Sequence, residues 1–130
     1  MGLTRDQILA VSDIQTEEVH VPEWDGTVLV RGLTGAERDE FETGIAEPRA
    51  SGVRFHMKDI RARLCVMSIV DGAGHRMFTL ADVEALTCKS ASALDRVFTV
   101  ARRLSGLSTA DVEELAKNSE SGPSAASGSD

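Results

Sequence analysis

One hundred and thirty residues, 42% of them apolar and with no strictly apolar run longer than four, suit one small globular domain and exclude a bilayer-spanning helix. Lys and Arg number 14 against 21 Asp and Glu, and the net charge of −7 opposes non-specific nucleic-acid binding, which needs cations to displace phosphate counterions. The N-terminal residues lack the apolar core of a secretory signal, and two cysteines, Cys65 and Cys88, are too few for a disulfide framework, so a cytosolic protein with reduced, at least partly buried thiols is expected.

Thr4-Arg5-Asp6-Gln7 reads as a capping box ahead of Ile8 and Leu9, and predicts a helix near 5–10 that is too short to be stable alone. Val19 and Val21 then alternate with Glu18 and His20, and Val28 and Val30 with Thr27, Leu29 and Arg31. The cluster Pro22-Glu23-Trp24-Asp25-Gly26 lies between, with Gly26 able to take positive φ, so a β-hairpin is predicted over about 16–31. Two strands alone are marginal, so the hairpin must rest on helices. Thr34 and Glu37 form the next capping box, and a helix over 35–46 carries Phe41 and Ile45 on one face before Pro48 stops it.

Residues 47–58 read as a basic connector. Val53, Phe55 and Met57 alternate there with Arg54, His56 and Lys58, as in a short strand or extended arm. Asp59 to Val70 is the most apolar stretch, predicted as a central helix with Ile60, Leu64 and Met67 in the core. Asp71-Gly72-Ala73-Gly74 ends it, and His75 to Phe78 is expected to be extended. A helix over 80–86 follows Thr79, with Val83 and Leu86 inward. Ser90 caps a helix over 91–105 whose stripe is Leu94, Val97, Phe98, Ala101 and Leu104. Gly106 stops it, and a last helix spans 109–117. The fold class is thus α+β: a mainly helical domain over 1–118 with an N-terminal hairpin. A tail of Ser, Gly, Ala, Pro, Glu and Asp over 119–130 is expected to be disordered.

Chemistry is hard to find. His20, His56 and His75 are far apart, and none pairs with Cys or His at metal-ligand spacing. Cys65 lies among apolar helical residues and reads as packing. Gly72-Ala73-Gly74 holds Met77 where a dinucleotide fingerprint needs its third glycine, and follows a predicted helix, so it reads as a turn. No catalytic set, cofactor or metal is expected. Trp24 in the hairpin turn is either a staple onto helices or an anchor for a partner, and Val53, Phe55 and Met57 admit the same two readings. The helices 80–86 and 91–105, with Arg96, Arg102 and Arg103 on the second, outline a helix-turn-helix, though Ala91, Ser92 and Ala93 offer little base readout. Charge is blocked: −8 over residues 1–47, +5 over 48–104 and −4 over 105–130. Such blocks can pair within one chain, between copies, or with an acidic partner.

In order along the chain, Val19-His20-Val21-Pro22-Glu23-Trp24-Asp25-Gly26, Leu33-Thr34-Gly35-Ala36-Glu37-Arg38-Asp39, Arg61-Ala62-Arg63-Leu64, Val70-Asp71 and Met77-Phe78 form a pattern. It is clearest in Lys89-Ser90-Ala91, Ala93-Leu94-Asp95-Arg96-Val97-Phe98 and Arg103-Leu104-Ser105-Gly106-Leu107. Over about residues 3–118 this resembles the tail assembly chaperones of long-tailed bacteriophages, the actinobacterial-phage type in particular. The resemblance implies a non-enzymatic protein of the host cell cytoplasm. It would bind the tape measure protein, keep it soluble until tail-tube subunits polymerise around it, and be absent from the finished virion. The major tail tube protein and a frameshifted longer form of the chain are further partners that the resemblance implies. A small virion structural protein of the neck or tail, and a helix-turn-helix regulator, are the alternative readings.

Overall fold

The computed structural model describes residues 2–46 and 57–117. The expected tail over 119–130, and Val53, Phe55 and most of the basic connector, lie outside the described residues.

Local signals set the element starts. Helix α1 (Arg5–Ala10) opens on a capping box: Thr4 Oγ1 accepts from the Gln7 amide, and Gln7 Oε1 accepts from the Thr4 amide. Strands β1 (Thr16–Val21) and β2 (Gly26–Arg31) pair antiparallel, with Thr16 opposite Arg31 and Val21 opposite Gly26. The turn between them is a 3-10 segment, Pro22–Trp24, followed by Asp25 at φ 54°. Positive φ thus falls on Asp25 and not on Gly26; a short polar side chain tolerates the left-handed region that most residues avoid. Helix α2 (Gly35–Ala46) opens on a second box, in which Thr34 Oγ1 and the Glu37 carboxylate each accept from the other's amide.

Helix α3 (Met57–Ser68) begins two residues before the predicted start, so Met57 is helical rather than part of an extended arm. It also ends two residues early. Ile69–Val70 form strand β3, antiparallel to β2 with Leu29 opposite Val70 and Val30 opposite Ile69. An apolar run reads alike as buried helix or buried strand, and two β-branched residues at its end favour the strand. The sheet order is β1-β2-β3. The Gly-rich turn therefore follows a strand. Gly74 takes φ 88°, and the Asp71 carboxylate accepts from the Ala73 and His75 amides. Arg76 bridges back to Val70.

A 3-10 turn (Leu80–Asp82), boxed by Thr79 and Asp82, leads into α4 (Val83–Thr87). Helix α5 (Ala91–Leu104) is capped by Ser90 Oγ and stopped at Gly106, φ 75°. A last helix, α6 (109–117), is boxed by Ser108 and Asp111.

Helix α5 lies between the hairpin and α3, and α2 and α4 pack on α3. Val19, Val21 and Val30 from the sheet, Phe41 and Ile45 from α2, and Ile60, Leu64 and Met67 from α3 are buried in one core with Leu94, Val97, Phe98 and Ala101; Leu104 is half-buried at its edge. Cys65 is buried in that core, whereas Cys88, in the link after α4, is exposed, against the expectation of two sheltered thiols. At the exit of β2 the backbone runs hard against the end of α5. A Cβ on Gly32 would meet the Leu104 carbonyl oxygen at 2.5 Å, and Ser105 Oγ accepts from the Leu33 amide at 3.0 Å.

Candidate functional site

Ionisable side chains are spent on holding elements together. Arg103 on α5 reaches Glu17 on β1 at 2.8 Å, and Arg96, two turns earlier, reaches Glu23 at the hairpin tip at 3.0 Å. The hairpin is clasped to α5 at both ends, with Val19 and Val21 buried between. The Arg96 hydrogen bond is the main influence that lowers the Glu23 carboxyl below its ordinary value. On the other side, Glu37 joins three elements: its carboxylate accepts from Arg31 of β2 at 2.8 Å, from Arg76 at 3.3 Å, and from the Thr34 amide. Partial burial would raise the Glu37 carboxyl, but the Thr34 amide, Arg31 and Arg76 outweigh it and hold the group below its ordinary value.

These pairs settle one way in which the charge blocks are used. Glu17, Glu23, Glu37 and Glu40 belong to the acidic N-terminal block, and Arg76, Arg96 and Arg103 to the basic middle. The blocks close on each other within one chain. Arg102 caps the end of α5 and donates to the Leu107 carbonyl at 2.9 Å. The three arginines of the helix-turn-helix outline are thus all engaged, and the would-be recognition helix is packed by the sheet on one side and α3 on the other. A helix so covered is not presented to a DNA groove.

Other chemistry is quiet. Burial, with the Asp95 charge adding, pushes the Cys65 thiol up to about 12, so it stays protonated and packs as a small apolar group. Among the described residues no group of three or more His, Cys, Asp and Glu could hold a metal ion. His20 and His75 are exposed and apart.

The surface carries the remaining signal. Trp24 is half-buried, with part of its ring packed on the core edge. Large apolar residues are exposed in two places: Leu3, Ile8, Leu9 and Val11 along the N-terminal arm, and Met77 and Leu80 before α4. Neither group was singled out by sequence reasoning. The available signal was the run Ile8-Leu9-Ala10-Val11, as long as the apolar run inside α3.

Comparison with protein families matches residues 4–118 to phage tail assembly chaperones. The chain belongs to that family. Neither curated proteins nor solved structures gave a match. The chaperone match starts at the cap of α1 and extends through α6, so it takes in the whole described core. No described helix of the chaperone is long and apolar enough to cross a membrane.

Proposed function

We propose that this chaperone binds the tape measure protein of a long-tailed phage in the host cell cytoplasm. It acts by contact alone: it covers apolar stripes on a long helical polypeptide and leaves before the particle is complete. The family match over residues 4–118 carries the reading. The arrangement of the chain supports it. Its charged groups tie its own elements together, while apolar side chains stand uncovered at the surface. Under this reading the tail tube protein and a frameshifted longer form of the chain are further partners.

Co-expression with the tape measure protein tests the proposal. The tape measure protein should move from pellet to supernatant and co-purify with the chaperone. An unchanged pellet without co-purification overturns the proposal. Mass spectrometry of purified virions should find no peptides of the chaperone; stoichiometric recovery would instead make it a virion structural protein.

A further inference from the structure

We infer that the N-terminal arm, Leu3 to Val11 with α1 at its centre, is the docking element for a long amphipathic partner helix whose apolar stripe is flanked by Lys and Arg. The length and helicity of the partner rest on the proposed function; the location and the recognition chemistry come from the arm itself.

Four of the six exposed large apolar residues among the described ones fall within nine positions, each between 54% and 68% exposed. They surround a helix whose first turn is fully capped and which buries no residue of its own. Six residues are too few to hold a helix by propensity alone, and a capped helix with an uncovered apolar face gains most from a partner that covers it. Ile8 and Leu9 stand three and four positions after Arg5, so they share one face and can enter the groove beside a partner's stripe.

Area and charge select the occupant. The four side chains offer a few hundred Å², well short of the roughly 800 Å² per partner in a stable pair. One such contact holds weakly. A long helix with a repeating stripe presents many equivalent sites, so weak contacts along it multiply in effect. A second copy is disfavoured because the arm belongs to the block of −8 over residues 1–47, which would face its own like. Cationic flanks on the partner meet that block favourably.

The test uses the full chain and a synthetic helical peptide of six heptads, with Leu at the stripe positions and Lys flanking them. Fluorescence anisotropy should show binding that weakens as salt is raised. Ile8→Gln with Leu9→Gln should weaken it at least tenfold and leave the thermal midpoint unchanged, since neither residue is buried. Leu80→Gln on the other patch should bind as the parent chain does. Equal binding by the Gln pair, equal loss in Leu80→Gln, or equal binding of a Glu-flanked peptide overturns the inference. So does sedimentation showing arm-dependent self-association without peptide. The co-expression assay separates the two proposals. If the parent chain solubilises the tape measure protein and the Gln pair does so equally, the arm is the wrong site and the function stands; if the parent chain fails, the function itself fails.

Discussion

Helices α1 and α5 begin alike: a hydroxyl before each accepts from the amide three residues on, Thr4 from Gln7 and Ser90 from Ala93. Past the cap they diverge. Helix α5 buries Ala93, Leu94, Val97, Phe98 and Ala101 between the hairpin and α3, while α1 buries nothing. A cap marks where a helix starts, and burial decides whether the rest of the molecule depends on it. One helix is the keel of the domain; the other is an appendage free to serve a partner.

The largest effect that would sharpen this contrast is in the core. Phe98→Ala on α5, or Leu64→Ala on the facing α3, should cost about 3 kcal/mol in chemical denaturation, as large-to-small core changes do. Leu9→Ala on α1 should change stability by less than about 0.5 kcal/mol. Equal losses in the two helices would break the comparison. The caps give a smaller effect. Ser90→Ala should cost about 1 kcal/mol of global stability. Thr4→Ala should leave the melting transition where it is and show only as faster amide exchange at Gln7 and Ile8.

The smallest effect is ionic and acts on the clasped region alone. The Glu37 carboxyl is held below its ordinary value of 4.5 in the folded protein. Its contribution is therefore complete above that pH and is lost as acid protonates the folded form. Denaturation midpoints should fall on acidification below pH 4.5, and Glu37→Gln should flatten that dependence. A midpoint that acid lowers equally in Glu37→Gln would show that the carboxylate is not the group responsible.

The fold class was legible because its signals are short-range. Hydroxyl caps at Thr4, Thr34, Thr79, Ser90 and Ser108 each satisfy an amide three residues away, and the alternation around Val19, Val21, Val28 and Val30 imposes a sheet. What escaped depends on distant partners. Ile69 and Val70 become strand because β2 is there to receive them, and nothing within Asp59–Val70 says so. Cys88 is exposed because its link stays at the surface. The arm was legible as a helix and illegible as a surface: Ile8 and Leu9 look like core residues until the packing shows that nothing of their own chain covers them. Trp24 is placed at the edge of the core, and Val53 and Phe55 lie outside the described residues.

Helix α3 passes into β3 at Ser68–Ile69 with no linking residue between them. A loop would let helix and sheet breathe separately. A rigid joint makes local opening of one pull on the other, so the two form a single cooperative unit. The domain can then give up contacts at its N-terminal arm repeatedly without its centre loosening, as suits a protein that engages and lets go many times.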